Sequence, residues 1–168
     1  KDDAIPARVA ATAGVRVQDW NHLVHERGDT EFNGRDTVIV SWPSFGSRNP
    51  NRTQAQLTAS LQQAFGVTKV VWLMDAPAED VTGGHVDGIA RFIDEDTAVV
   101  PEYSFSHPDS LVYDSASAII QGAGLTVIRM DVPGEIFHNC ACLPASYANW
   151  LVANVVVLIP DFRNACWD

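Results

Sequence analysis

The apolar positions of this chain alternate between two periods. From Arg52 to Phe65 they recur at helical spacing, with Leu57, Leu61, Ala64 and Phe65 on one face. Asn51 or Thr53 is placed to cap the start of that helix. Gly66 then opens the β-rich run Val67-Thr68-Lys69-Val70-Val71-Trp72-Leu73. The same succession occurs twice more. A helical stretch over Ala4–Ala13 precedes Gly14-Val15-Arg16-Val17, and another over Pro108–Gln121 precedes Gly124-Leu125-Thr126-Val127-Ile128-Arg129-Met130. Glycine suits each junction, because the left-handed turn that ends a helix brings it no Cβ clash.

A second class of strand alternates with the first. Thr37-Val38-Ile39-Val40, Thr97-Ala98-Val99-Val100 and Val155–Pro160 are short β-branched runs. The turn signals Asn33-Gly34-Arg35-Asp36 and Asp94-Glu95-Asp96 precede the first two. The repeating unit is strand, loop, helix, strand, with a period of roughly 55–60 residues. The pattern predicts an α/β chain with a partial unit over residues 1–30, units over 31–90 and 91–150, and a partial unit over 151–168. A repeat cut within units predicts unpaired strand edges and uncovered apolar faces. It is then either a piece of something longer or completed by a partner, as in a homo-oligomer.

Composition and charge narrow the function. At 168 residues with 46% apolar and 19% charged positions, the chain can bury a core. Its 21 acidic against 11 basic residues leave a net charge of -10. Such a body repels nucleic acid and anionic membrane and mildly favours cationic ligands. The longest apolar run, Val155–Pro160, is strand-sized, whereas a bilayer span needs roughly 18 residues. No secretory leader is visible and the chain does not begin with Met. Cys140, Cys142 and Cys166 are too few, and odd in number, for a disulfide framework, and read as reduced thiols of a cytoplasmic protein. His138, Cys140 and Cys142 lack a second ligand pair at metal-site spacing, so no metal is expected. Gly83-Gly84 is too short for a dinucleotide or phosphate loop.

Four ordered motifs carry a resemblance. Val81-Thr82-Gly83-Gly84-His85-Val86-Asp87-Gly88-Ile89-Ala90-Arg91-Phe92 is similar to the T-x-G-H-V/I-D-x-x-x-R-F signature of agmatine deiminases and bacterial-type peptidylarginine deiminases. Glu26-Arg27-Gly28 through Gly34-Arg35-Asp36-Thr37 resembles the family's E-G-G stretch and the G-x-G-T that follows it. Ser47-Arg48-Asn49-Pro50-Asn51 resembles its N-R-N-P loop, and Leu143-Pro144-Ala145-Ser146-Tyr147-Ala148-Asn149-Trp150 its A-S-Y-x-N segment. Together they extend from about Glu26 to Phe162 in the family order.

The resemblance implies a pentein, a propeller of about five ββαβ units around a central site, of which this chain would hold about three. It implies a hydrolase of guanidine C–N bonds that releases ammonia through a Cys nucleophile and needs no cofactor. The implied ligand is a small cationic guanidino compound. A guanidinium is a flat, delocalised cation that carboxylates grip through paired, charge-assisted hydrogen bonds. By resemblance His85 takes the acid/base role, Asp87 binds the guanidinium, and Glu26 is the second guanidinium-binding or His-orienting carboxylate. In an extended segment His85 and Asp87, two residues apart, would point to one face. The departures are specific. The family's G-G-N-x-H-C segment is absent, which leaves Cys140, Cys142 and Cys166 as weak nucleophile candidates. Arg27 stands where the family has its first Gly, a long cation beside the guanidinium site. The alternative is a truncated pentein without catalysis, acting as a ligand-binding or self-associating module.

Overall fold

The β-branched run Thr37–Ser41 is buried along its whole length. Its alternating side chains therefore need cover on both faces, and the fold is built around that need. A computed structural model describes residues 4–78, 80–134, 136–138, 141–143 and 145–162. Helix α1 covers Ile5–Ala13, α2 Gln54–Phe65 and α3 Ser110–Gly122. Strands β1 (Thr30–Phe32), β2 (Thr37–Ser41) and β3 (Lys69–Leu73) form one sheet in that order, β1 antiparallel and β3 parallel to β2. Strands β4 (Arg91–Phe92), β5 (Thr97–Glu102) and β6 (Thr126–Asp131) form a second sheet with the same order and senses. With α2 between β2 and β3, and α3 between β5 and β6, the chain runs through two successive ββαβ arrangements. Two hairpins follow, β7 (Ile136–His138) with β8 (Ala141–Leu143), and β9 (Leu151–Val152) with β10 (Val157–Leu158).

Each face of the first sheet has its own partner. Val38 and Val40 point toward Leu57 and Leu61 of α2, and Phe45 and Val67 complete that cluster. Ile39, on the opposite face, joins Val71 and Leu73 in a larger core with Ala98, Val100, Tyr113, Ala116 and Ile120. Helix α3 thus packs on its own sheet and on β3 of the other. Thr53 caps α2 in a reciprocal box with Gln56, and Gly66 closes the helix at φ 71°. The third helix runs one residue past the expected end, through Gly122, and Gly124 takes the left-handed turn at φ 84°.

Two expected strands differ. Val15–Val17 pairs with no described strand, and Val15 and Val17 are exposed. A β-branched run becomes a strand only when a ladder partner satisfies its backbone groups. In Val155–Pro160 only Val157–Leu158 pairs, with Leu151–Val152, and both strands stay exposed. Among the described residues no helix is long and apolar enough to cross a membrane.

Candidate active site

Strands β2 and β3 run parallel, so the segments leaving them emerge at one end of the sheet, where ligands of α/β sheets commonly lie. β1 is antiparallel to β2, so the segment entering β1 arrives at that same end. Three loops therefore converge there: Glu26–Asp29 before β1, Trp42–Arg48 after β2, and Thr82–Asp87 between β3 and β4.

The first loop is a 3-10 turn, Arg27–Asp29, in which the Asp29 carboxylate accepts from the Glu26 backbone N–H at 3.1 Å. Asp29 is fully buried, and the Ser44 hydroxyl donates to its other oxygen. Glycine is required at 28 for a local reason. A Cβ there would lie 2.1 Å from Nδ1 of His85. The third loop approaches through Gly83 and Gly84, both at positive φ, and the Thr82 hydroxyl accepts from the His85 backbone N–H at 3.1 Å.

These loops bring His85 Nε2 to 2.7 Å from Oε2 of Glu26 and 3.6 Å from Oδ1 of Asp29. The same Glu26 oxygen takes Arg48 Nη2 at 2.6 Å. Arg48 also donates to the Ser44 carbonyl at 3.1 Å, the Ser44 hydroxyl at 2.7 Å and the Thr82 carbonyl at 3.0 Å. One guanidinium thus ties all three loops together. The hydrogen bond with His85, and then that with Arg48, hold the Glu26 carboxyl below the usual range, so it is a carboxylate at neutral pH. Glu26, Asp29 and His85 offer donor atoms within 4.8 Å of one another, as a metal site would. Within the same cluster the Arg48 guanidinium pairs with Glu26 and the Ser44 hydroxyl donates to Asp29.

Asp87 is placed differently from the expectation. Residues Val86–Gly88 form a 3-10 turn opened by His85, not an extended segment, so the same-face argument from alternation does not apply. Asp87 lines a cavity of about 670 Å³ together with Arg27, Gly28, Glu31, Arg91 and Trp150. Gly28, against which the His85 ring lies, is the link between the ion-pair cluster and the cavity. Burial is the main cause that pushes the Asp87 carboxyl up, opposed by His85 and then Arg91. Glu31 is likewise pushed up by burial, and Arg91 pairs with it at 3.1 Å. Arg91 also lies 5.4 Å from the Trp150 ring centre. Trp42 packs edge-on against Trp72 at 5.5 Å beside the α2 core.

Of the predicted site residues, the structure brings His85 and Glu26 into contact and sets Asp87 in the neighbouring cavity. Cys140 and Cys166 lie outside the described residues, and Cys142 is placed by its backbone alone, on β8. Asp29, Ser44 and Arg48 had no assigned role. Arg48 lies within the Ser47–Asn51 motif, which is the signal the sequence carries for it.

The sequence profile of the Porphyromonas-type peptidyl-arginine deiminase family matches residues 1–168. The chain belongs to that family. A Selenomonas ruminantium protein provisionally named agmatine deiminase is 27% identical over an alignment of 191 residues, covering 96% of this chain and 51% of the relative. A Latilactobacillus sakei protein with the same provisional name is 27% identical over 194 residues, covering 98% of this chain and 52% of its own. The chain spans about half the length of these curated relatives. Among solved structures, it resembles a C. jejuni agmatine deiminase variant with substrate bound, with a TM-score of 0.84 and 22% identity. That match covers 96% of this chain and 50% of the other. The Enterococcus faecalis agmatine deiminase gives a TM-score of 0.84 at 22% identity, covering 95% and 51%. At such identities the likeness is one of fold, here the mixed α/β fold of this deiminase family.

Proposed function

We propose that this chain carries the guanidinium-binding and proton-transfer side of a hydrolase that cleaves a guanidine C–N bond and releases ammonia, as an agmatine deiminase-like or peptidylarginine deiminase-like protein. The two ββαβ arrangements are then neighbouring units of a partial pentein propeller, with unit boundaries near residues 30, 90 and 150. The supporting observation is the 2.7 Å contact of His85 with the Glu26 carboxylate, next to a cavity that holds Asp87.

The geometry divides the labour between the carboxylates. Glu26 Oε2 is taken by both Arg48 and His85, so Glu26 orients the imidazole. Among the described residues Asp87 has no such clamp, and burial disfavours its charge. An incoming guanidinium restores what burial removes, which makes Asp87 the grip on the substrate. With its ring fixed by Glu26, His85 is the group assigned to move protons. It delivers one to the departing ammonia and accepts one from the attacking water, the general acid/base role.

The test measures ammonia and ureido product from agmatine with the polypeptide that contains this segment. His85→Ala is expected to lower turnover by roughly 10²–10⁴-fold, the usual share of a general acid/base. Turnover unchanged in that variant would remove the reading.

A further inference from the structure

We propose that Ser44 is a positioning residue of this site: by donating its hydroxyl to the buried carboxylate of Asp29, it leaves the His85 imidazole to Glu26. Its effect on turnover rests on the deiminase reading of the site, whereas the placement of the ring does not.

Two carboxylates lie within reach of one imidazole nitrogen. His85 Nε2 is 2.7 Å from Oε2 of Glu26 and 3.6 Å from Oδ1 of Asp29. Glu26 is a carboxylate and can only accept, so Nε2 carries the hydrogen. One N–H makes one well-aligned hydrogen bond at a time, so the two acceptors compete for it. Burial favours Asp29 in that competition. The Glu26 side chain is 45% exposed and can be served by water, whereas Asp29 is fully buried and cannot. A buried acceptor left without a donor costs more than an exposed one.

The Ser44 hydroxyl removes that advantage. Ser44 is itself fully buried, and it donates to Oδ1 of Asp29, the same oxygen that faces Nε2. The other Asp29 oxygen accepts from the Glu26 backbone N–H at 3.1 Å. Both oxygens thus have a donor without the histidine. The hydroxyl in turn accepts from Nη1 of Arg48 at 2.7 Å, while Nη2 of Arg48 lies 2.6 Å from Glu26 Oε2. A side chain placed between an arginine and a carboxylate must accept from one and donate to the other. A hydroxyl does both and a methyl group does neither. Without the hydroxyl, Oδ1 of Asp29 is a buried acceptor facing the Nε2–H of His85, and a ring movement of about 1 Å brings the two to hydrogen-bonding distance.

The experiment reads the His85 imidazole by nitrogen NMR, with His85→Gln to assign it, and the turnover of agmatine by the polypeptide that contains this segment. Ser44→Ala is expected to move the Nε2–H resonance as its partner changes from Glu26 to Asp29. It should also lower kcat by up to about 100-fold with KM little changed, the effect of misplacing a reacting group by about 1 Å. Ser44→Cys, close in size but a weak donor, should fall between the two, and it carries the test if circular dichroism shows the Ala variant unfolded. Adding Asp29→Asn to either variant exchanges the carboxylate for a weaker amide acceptor. That second change should return both resonance and kcat toward the unsubstituted values, a rescue that damage to the fold would not give. Unchanged His85 resonances in a folded Ser44→Ala chain, or a double variant no better than the single one, overturn the role of Ser44. Absence of agmatine turnover in the unsubstituted polypeptide overturns the deiminase reading, and the resonances then decide the role of Ser44 alone.

Discussion

Gly28 shows how one missing atom sets the chemistry of a neighbouring loop. The His85 ring occupies the space a side chain at 28 would need, with Nδ1 only 2.1 Å from the position of a Cβ. Gly28→Ala therefore forces the ring off Glu26, since the fully buried Asp29 next in sequence leaves the turn little room to yield. The expected outcome is a stability loss of about 1–3 kcal/mol, the range for overpacking, read by thermal unfolding. The imidazole nitrogen resonances of His85 should shift as well, because the hydrogen bond to Glu26 is lost. A variant with wild-type imidazole resonances would show that the ring has another place to sit. Arg48 acts from the other side, with one guanidinium spread over Glu26, Ser44 and Thr82. Glu26, expected as a guanidinium-binding or His-orienting carboxylate, therefore lies between that guanidinium and the histidine.

At the scale of elements, local chemistry decides where helices begin and end, and packing decides which strands exist. Helix α2 starts at its Thr53–Gln56 box and stops at Gly66, signals that act within one turn. Its apolar face is then committed through Leu57 and Leu61, both fully buried against Val38 and Val40. Leu61→Ala is expected to cost about 2–5 kcal/mol, measured by denaturant unfolding, because the cluster can close only partly over the cavity. Phe65, predicted on the same face, is instead part-exposed and packs at a tilt against Phe32 at 4.9 Å and His25 at 5.6 Å. The strands were less legible. Thr37–Ser41 and Thr97–Glu102 find ladders on both sides, whereas Val15–Val17 has the same β-branched composition and no described partner.

Across the whole molecule, the two turns that precede β2 and β5 dock on each other. Asn33, buried, accepts from the backbone N–H groups of Arg35, Asp36 and Thr37 and donates to the Glu95 carbonyl at 2.7 Å. Arg35 reaches Glu95 and Asp96 at 2.7 Å each. Stability against pH sums over such groups. Burial lowers His25, so its contribution is fully present above about 6.5 and is lost as pH falls through its folded value. Glu26, Asp36 and Asp94 are also lowered, and their contributions vanish only as pH falls through the more acidic carboxylate range. Glu31 and Asp87 are raised and act in the opposite sense, their contribution present at low pH and lost as pH rises. Between pH 7 and 5.5 the His25 effect should therefore come first. Melting temperature is expected to drop over that interval, and His25→Gln should flatten the slope. A wild-type curve that rises on acidification would assign the slope to the raised carboxylates instead.

Taken alone, the sequence determined the parts whose causes are local. These are a cap for α2 at Asn51 or Thr53 and its end at Gly66, the β-branched runs, their repetition, the acidic charge, and the histidine and carboxylates held in recognisable motifs. Only the tertiary structure decided which groups meet. His85 and Glu26 are 59 positions apart. Their contact depends on parallel strands delivering their loops to one end of a sheet. The 3-10 turn at Val86–Gly88 that carries Asp87 into the cavity, and the reach of Arg48 across three loops, depend on the same packing. Short-range periodicity encodes which face of an element is apolar, while the meeting of distant polar groups is set by the burial that brings those faces together.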